Sequence, residues 1–320
     1  MQTSFLDREW QVPFGIAPMG MCDLFWPGAD KAMAKLARDN GLPLGVSTMS
    51  SATLEQLFDL AAGNAWFQLY AGESDELTHK LVDRAVNAGY QALILTADVP
   101  ALAPRQRDLR NGFKVPFRIG PKQALDFACH LQWTLATLKN GRPKPRNVNS
   151  QPKAATAEDG IGQFRREAGR GRFDWNFLRE LRAQWPHKLI LKGVMCAQDA
   201  KNAVDAGADA VYVSNHGGRQ LDSAPAAIAM LPSIRDVLGC DVPVVFDSGV
   251  RSGEDIARTL ASGAGFVMLG RPFLYALGAG GAGGLSQLLN LLTNELSTVM
   301  AQLGCTCPAQ LNSTVRASVR

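Results

Sequence analysis

The sequence predicts an α/β fold, a closed (β/α)8 barrel in a single domain over residues 1–320, and three observations carry this prediction. Short apolar runs rich in β-branched and aromatic residues occur eight times along the chain. Most of them follow a helical stretch that ends at a glycine, the residue that best tolerates the left-handed conformation of a helix C-cap. Strands that alternate with helices form parallel sheets, and eight such units favour a closed barrel over an open doubly wound sheet.

The predicted elements follow one another along the chain. Strands are expected at residues 12–17, 42–47, 65–70, 92–96, 188–194, 210–214, 242–248 and 266–269. Helices are expected between them, for example at residues 30–40, 54–62, 76–88, 197–206 and 253–261. The spelling G-x-G-x-x-G occurs late, at Gly278–Gly283, without a strand directly before it. We interpret it as a glycine-rich connection and not as a dinucleotide site.

One long segment, residues 120–172, interrupts the alternation between the fourth and fifth strands. It contains ten basic and four acidic residues, four prolines, and an apolar stretch at residues 124–138 that predicts a short helix. Loops of this length are typically functional or disordered, and partial disorder is expected. Its basic character suits a membrane surface or a solvated loop, whereas the absence of a nucleic-acid-binding motif argues against a nucleic-acid partner.

Composition narrows the class of protein. The chain is 46% hydrophobic and 19% charged, with a formal net charge of +4, which is typical of a globular enzyme with a substantial core. The six cysteines form no C-x-x-C pair, so we expect free thiols in a reducing compartment. Residues 1–10 lack the apolar region of a signal peptide, and no apolar run is long enough to span a membrane. We therefore predict a cytoplasmic protein, with peripheral attachment to the inner face of a membrane as an option.

The carboxyl ends of the barrel strands are where active-site residues of this fold lie. The seventh and eighth predicted strands end in Gly249, Arg251, Gly270 and Arg271. Glycine backbone N–H groups and guanidinium forks together predict a binding site for a phosphate dianion. Surface salt bridges are the alternative interpretation of the two arginines.

The sixth predicted strand opens abruptly into polar residues and supplies the candidate base, His216. Asp98, at another strand end, can orient its imidazole ring, and Arg105 and Arg219 can bind a carboxylate. Lys192 ends a buried apolar run, where a bare ammonium group is costly, so it is expected to face an anionic or electron-rich group. A structural ion pair is the alternative for Lys192.

The residues around His216 also carry a family resemblance. The run S-N-H-G-G-R-Q at residues 214–220 resembles the signature of the FMN-dependent 2-hydroxy-acid dehydrogenases and oxidases, the group of glycolate oxidase, L-lactate dehydrogenase and mandelate dehydrogenase. Further matches occur in the same order as in that family, at residues 16–18, 67–70, 95–100, 105–113, 192–194 and 247–251. The resemblance runs from about residue 12 to the end of the chain.

The resemblance implies FMN as cofactor and a role for each matching position. The residues implied to hold the flavin ring are Ala17, Pro18, Met19, Ser47, Gln68, Thr96, Lys192 and Ser214. Those implied to hold the ribityl phosphate are Asp247, Gly249, Arg251, Gly270 and Arg271. Within the first set, Lys192 is implied to stabilise negative charge on the reduced flavin. No metal site is predicted.

The resemblance also implies a substrate site. The substrate carboxylate is expected between Arg105 and Arg219, with Tyr70 beside the substrate hydroxyl. His216 is the implied base, supported by Asp98. The implied walls around the substrate side chain, Gly20 and Met49, leave room for a medium or bulky group.

The expected function is the FMN-dependent oxidation of an L-2-hydroxy acid to the 2-oxo acid. The resemblance also implies a homo-oligomer, a tetramer as is usual in this family. The helical segment that usually precedes the first strand in this family, with its substrate-facing tyrosine, is not seen in the sequence. The alternative is therefore an FMN-binding barrel with impaired or different chemistry, of the flavin-dependent isomerase or reductase type. Residues 120–172 resemble the region with which some family members sit on membranes and pass electrons to quinone; an active-site lid is the other interpretation.

Overall fold

The structure is a computed structural model and describes residues 1–71, 75–101, 103, 110–111, 120–141, 143–148 and 173–313. Eight parallel strands form its centre: β3 Phe14–Met19, β4 Leu44–Ser47, β5 Ala65–Leu69, β6 Ala92–Thr96, β7 Lys188–Val194, β8 Ala210–Val213, β9 Val244–Phe246 and β10 Phe266–Leu269. They close in the order β10-β3-β4-β5-β6-β7-β8-β9. The predicted (β/α)8 barrel, a TIM barrel, is confirmed, and three of the eight predicted strands have the observed bounds.

Helices surround this barrel and connect its strands. Those in the described residues are Ala29–Asn40, Leu54–Leu60, Asp75–Ala88, Pro121–Cys129, Leu131–Asn140, Trp175–Gln184, Ala197–Asp205, Ala227–Leu238, Gly253–Ala261 and Arg271–Gln302. Gly41, directly after the first of them, has a φ of 59° and donates its N–H to the Ala37 carbonyl. This left-handed cap ends the helix three residues before β4, as the recurring glycine pattern predicts.

A short antiparallel hairpin that the sequence did not predict closes the amino end of the barrel. Its strands are β1 Thr3–Phe5 and β2 Arg8–Trp10. The Phe5 and Phe266 ring centroids are 5.1 Å apart, and those of Trp10 and Trp66 are 5.9 Å apart. These buried aromatic rings fill the base of the barrel, so the polar site must lie at the opposite, carboxyl end.

The prediction of a glycine-rich connection at Gly278–Gly283 is wrong. These residues lie within the final helix, Arg271–Gln302, which is interrupted at Gly280 and Gly281, where Gly281 has a φ of 56°. Glycine adopts this conformation without steric penalty, so the chain bends and the helix resumes. Buried leucines beyond the bend, at positions 285, 289, 292 and 296, hold the second half of the helix in place.

Part of the long loop is anchored to the barrel. The apolar stretch predicted as one helix forms two, Pro121–Cys129 and Leu131–Asn140. Further on, the fully buried Asn147 side chain accepts the Leu54 N–H at 2.8 Å and donates to Ser50 Oγ at 2.9 Å. This amide fastens residues 143–148 to the connection after β4. Residues 149–172, for which partial disorder was predicted, lie outside the described residues.

A buried carboxylate joins the loops that follow β3 and β4. Asp30 Oδ2 accepts the Ser51 backbone N–H at 2.5 Å, and the Asp30 N–H points to Asp23 Oδ1 at 3.4 Å. Burial, assisted by the charge of Asp23, raises the pKa of Asp30 from 3.8 to about 7, although the hydrogen bond from Ser51 opposes the rise. The folded protein therefore retains a proton on Asp30 that the unfolded chain loses well below neutral pH.

Replacement Asp30→Asn is expected to change how stability depends on pH. Between pH 4 and 7 unfolding of the parent protein releases the Asp30 proton, so its free energy of unfolding falls as pH rises, by about 4 kcal/mol in total. The amide does not titrate and still accepts the Ser51 N–H. Urea unfolding should show Asp30→Asn gaining stability over the parent from pH 5 to pH 8, whereas Asp39→Asn, at an exposed carboxylate, should show no such trend. A difference between Asp30→Asn and the parent that is constant across this range would contradict the assignment.

Candidate active site

Polar side chains are concentrated at the mouth of the barrel, where the carboxyl ends of the strands meet. Ser47 Oγ donates to Gln68 Oε1 at 3.0 Å, and Gln68 Nε2 donates to Thr96 Oγ1 at 2.9 Å. All three side chains are buried and come from the successive strands β4, β5 and β6. They form one continuous polar edge, at the positions implied to face a flavin ring.

Lys192, on β7, extends this polar edge with a positive charge. It is only 4% exposed, and its Nζ lies 2.8 Å from Ser214 Oγ and 3.6 Å from Asp247 Oδ2. Asp247 Oδ1 in turn accepts hydrogen bonds from Ser214 Oγ at 2.5 Å and from Ser248 Oγ at 2.8 Å. Asp247 Oδ2 accepts a third hydroxyl, from Tyr212, at 2.9 Å. A buried ammonium group thus meets a carboxylate that is already well supplied with donors.

His216 and Asp98 form a second charged pair at the mouth. The distance from His216 Nδ1 to Asp98 Oδ1 is 2.9 Å, and the His216 backbone N–H donates to Ser214 Oγ at 3.0 Å. Burial opposes ionisation of Asp98, but the charge of Lys192 and the hydrogen bond from His216 together lower the pKa of Asp98. An ionised Asp98 accepts a hydrogen bond from the Nδ1–H group of His216, which leaves the lone pair of the imidazole on Nε2.

Glycine makes the approach of Asp98 possible. Gly193, next to Lys192, has a φ of 98°, and a Cβ at this position would lie 2.6 Å from the Asp98 Cβ. No side chain fits there. The carboxylate can therefore lie against β7, close to both Lys192 and His216.

The predicted substrate residues are brought partly together. The Tyr70 hydroxyl lies 3.5 Å from His216 Nε2, on the side of the ring that carries the lone pair. Arg219 comes three residues after His216 in the same loop, and it is exposed. A Cβ on Gly20 would lie 2.8 Å from the Met49 Cβ, so these two predicted pocket walls adjoin each other. Arg105 lies outside the described residues.

The ends of β9 and β10 form a site of concentrated positive charge. Arg271 donates from its guanidinium to the Gly217 carbonyl at 2.9 Å. Burial and then the charge of Arg271 lower the pKa of Arg251, as expected for two guanidinium groups that lie close together. Gly249 has a φ of 89° with open space beside its Cα, and Gly270 stands at the start of the helix Arg271–Gln302. Two cations, open glycine backbone and a helix N-terminus suit a phosphate group.

The predicted flavin-contact residues on β3 lie next to this region. A Cβ on Gly270 would be 3.2 Å from Met19 Sδ and 3.8 Å from the Ala17 Cβ. Pro18 packs against Gly45, where a Cβ would lie 2.5 Å from the Pro18 nitrogen. The end of β3 therefore lies between the phosphate-type site and the polar edge.

Two polar residues of this mouth were missed from the sequence. Tyr212 lies in an apolar strand, and Ser248 was assigned no role. Ser248 accepts the N–H groups of Asn215 at 3.2 Å and Gly217 at 3.1 Å while it donates to Asp247. A tyrosine within a buried strand usually finds a partner for its hydroxyl, which was the available signal for Tyr212.

The two ends of this mouth suit the two ends of a flavin mononucleotide. Lys192 with the uncharged hydroxyl and amide groups is a donor set suited to an electron-rich ring, and the arginine pair is suited to a phosphate. The donor set therefore fits FMN, and the fold and site together define an FMN-dependent oxidoreductase.

Comparison with known proteins identifies the family. The family model described as FMN-dependent dehydrogenase matches residues 1–317, and the chain belongs to this family. It is 39% identical over 306 residues to (S)-mandelate dehydrogenase of Pseudomonas putida. This match covers 95% of this chain and 76% of that protein. It is also 34% identical over 319 residues to L-lactate dehydrogenase of Pectobacterium atrosepticum (98% of this chain, 81% of that protein).

Solved structures agree with the sequence comparison. The crystal structure of the monotopic membrane protein (S)-mandelate dehydrogenase superposes with a TM-score of 0.94 at 37% identity and covers 99% of this chain and 84% of that one. The predicted family, FMN as cofactor, and the assignment as an oxidoreductase acting on CH–OH groups are thereby confirmed.

Proposed function

We propose that the protein oxidises an L-2-hydroxy acid to the corresponding 2-oxo acid, with His216 as the base. This proposal rests on the arrangement of Asp98, His216 and Tyr70 at the mouth. Asp98 Oδ1 lies 2.9 Å from His216 Nδ1, and the Tyr70 hydroxyl lies 3.5 Å from His216 Nε2. A barrel with isomerase or reductase chemistry requires the phosphate residues but has no evident need for this charged pair.

The proton is handled by the chain's own residues. Asp98 fixes the imidazole tautomer, so His216 Nε2 is the atom that accepts a proton from the substrate. The imidazolium that forms is stabilised by the carboxylate beside it. The oxidation removes two electrons and two hydrogens from the substrate: one hydrogen leaves as the proton that His216 accepts, and bound FMN would supply the acceptor for the two electrons and the other hydrogen. Tyr70 is positioned to bind the substrate hydroxyl, and Arg219 with Arg105 supplies guanidinium groups for the substrate carboxylate.

Cofactor binding is assigned to two groups of residues. We assign the flavin ring to the polar edge and the end of β3, namely Ala17, Pro18, Met19, Ser47, Gln68, Thr96, Lys192 and Ser214. We assign the phosphate to Gly249, Arg251, Gly270 and Arg271. Asp247 was expected to join the phosphate group, but a carboxylate repels a dianion and its oxygens already accept three hydroxyls. We assign Asp247 to the Lys192 side of the site instead.

An aromatic 2-hydroxy acid is the substrate class that we favour. Gly20 adds no side chain to the pocket wall beside Met49, and Met49 is an adaptable apolar neighbour. The relative of known structure and the first sequence relative both act on (S)-mandelate by name. A bulky substituent is therefore expected to be accepted at the substrate carbon.

Replacement His216→Ala is the direct test of the base. Reduction of bound FMN by a 2-hydroxy acid should slow by about 10²- to 10⁴-fold in anaerobic stopped-flow experiments, because general-base catalysis is lost. Bound FMN should remain, since His216 is outside the assigned cofactor contacts. The matched control is His79→Ala, at an exposed histidine that pairs with Gln184. Reduction of His216→Ala at the parent rate would refute the assignment.

We further propose that residues 120–141 dock the protein on an anionic membrane surface. Neither helix in this segment has a buried residue, and Leu131, Leu135 and Leu138, spaced to share one helix face, are 63%, 64% and 74% exposed. Exposed Lys122 and Lys139 flank them. Leucines with adjacent lysines suit an interface of acyl chains and anionic headgroups.

The location of this segment links the membrane to the mouth of the barrel. Trp133 Nε1 donates to the Phe25 carbonyl at 3.1 Å, and Phe25, itself 57% exposed, lies in the connection that follows the carboxyl end of β3. The leucine face thus belongs to the mouth side of the molecule. The (S)-mandelate dehydrogenase relative is described as a monotopic membrane protein. Among the described residues no helix is long and apolar enough to cross a membrane. On the strength of the exposed leucine face, we propose surface attachment, with a membrane quinone as the electron acceptor.

Cosedimentation with vesicles of phosphatidylglycerol and phosphatidylcholine tests this attachment. The double variant Leu135→Ser and Leu138→Ser should bind at least about tenfold more weakly, because two large apolar side chains no longer enter the interface. Leu303→Ser, at an exposed leucine at the far end of the last helix, is the matched control and should bind like the parent. Equal binding by the double variant and the parent would favour an active-site lid instead.

A further inference from the structure

We propose that Tyr212 is a positioning residue that raises the reduction potential of the bound flavin by keeping Asp247 from pairing closely with Lys192. The inference rests on the proposed position of the flavin ring beside Lys192. It assigns a role to a residue that contacts neither the substrate nor, by that placement, the flavin.

The geometry around Tyr212 carries the proposal. Its side chain is fully buried inside the barrel, and its hydroxyl donates to Asp247 Oδ2 at 2.9 Å. The same oxygen is the one nearest to Lys192 Nζ, at 3.6 Å, which is longer than a hydrogen bond. The Lys192 ammonium also lies 5.1 Å from the centroid of the Tyr212 ring. Tyr212 therefore contacts both members of the charged pair.

The hydroxyl of Tyr212 competes with Lys192 for one carboxylate oxygen. Burial and then the negative charge of Asp247 raise the pKa of Tyr212 well above its usual value, so the group remains a donor at every pH of interest. The other oxygen, Oδ1, is occupied by Ser214 and Ser248. With three hydroxyl donors the negative charge of Asp247 is dispersed, and Oδ2 is held back from the ammonium group.

The expected effect of this competition is on the reduction potential of the bound flavin. A lysine that is loosely paired exerts more of its positive field on its other neighbours than one in a tight ion pair. Within the described residues Lys192 Nζ makes one hydrogen bond, to Ser214, which leaves N–H groups to face the ring. Two-electron reduction increases electron density on the flavin, so a stronger positive field favours the reduced form.

Replacement Tyr212→Phe retains the ring and removes only the hydroxyl. Asp247 Oδ2 should then move toward Lys192, and the equilibrium between oxidised and reduced FMN should shift about tenfold toward the oxidised form. For a two-electron couple this is a midpoint potential about 30 mV more negative. The measurement is an anaerobic titration of the holoprotein against a reference dye, with flavin absorbance and the thermal midpoint recorded to verify occupancy and folding.

Controls separate this effect from the loss of any buried hydroxyl. Tyr90 is also fully buried, and its hydroxyl donates to the Leu54 carbonyl at 2.8 Å, away from the mouth. Tyr90→Phe should leave the potential unchanged. Asp247→Asn removes the competing charge and should shift the potential in the positive direction. In the Asp247→Asn background, Tyr212→Phe should have no further effect, because Tyr212 acts through Asp247.

The outcomes distinguish this inference from the placement of the flavin. A Lys192→Met variant with an unchanged potential would overturn the placement and this inference with it. A shifted potential in Lys192→Met but not in Tyr212→Phe would overturn the role of Tyr212 alone. A Tyr212→Phe shift that persists in the Asp247→Asn background would also overturn it, since the effect would not then run through Asp247.

Discussion

The buried ammonium group of Lys192 is the constraint on which the mouth of the barrel depends. A charge that is 4% exposed costs several kcal/mol unless partners surround it. The partners that satisfy it each fix another part of the site: Asp98 holds the His216 ring, Ser214 holds the His216 backbone, and Asp247 collects three hydroxyls. The position of the proposed base is therefore coupled to the position of the charge that we place beside the flavin. A change in either is expected to affect both proton transfer and the flavin.

Among the described residues, Lys192 and the pair Arg251 and Arg271 place positive charge at two separate points of this mouth, and we infer the direction of the cofactor from that separation. Lys192 belongs to β7, whereas Arg251 and Arg271 follow β9 and β10 and interact with each other. Between them in the strand order come Asp247, whose carboxylate accepts three hydroxyls, and the neutral groups of Ser248 and Gly249. A ligand with an electron-rich ring at one end and a dianion at the other matches this distribution. Because the base pairs with Asp98 on the β6 side, the substrate is expected over the ring end and away from the phosphate.

Strand periodicity and strand-end polarity predict the barrel and place His216, Asp98, Lys192 and Tyr70 at one edge from the sequence alone. What the sequence could not provide is pairing across the barrel. In the sequence Tyr212 is indistinguishable from an ordinary core residue, and only the fold shows that its hydroxyl donates to Asp247, the residue directly after β9. The hairpin at residues 3–10 was not predicted because strands of three residues are too short to show an alternating apolar pattern. The bend at Gly281 was predicted as a glycine-rich connection because glycines alone do not distinguish a loop from a helix that continues beyond a kink.

We propose that electrons pass from a 2-hydroxy acid to FMN at the mouth of the barrel while His216 takes the proton. The most direct measurement is anaerobic addition of (S)-mandelate to the purified yellow holoprotein, with (R)-mandelate added to a parallel sample. We expect the absorbance of oxidised FMN to disappear with the (S) enantiomer, with one 2-oxo acid formed per flavin, and to persist with the (R) enantiomer. A protein that binds no FMN, or one whose bound FMN stays oxidised with (S)-mandelate, L-lactate and longer L-2-hydroxy acids alike, would contradict the account.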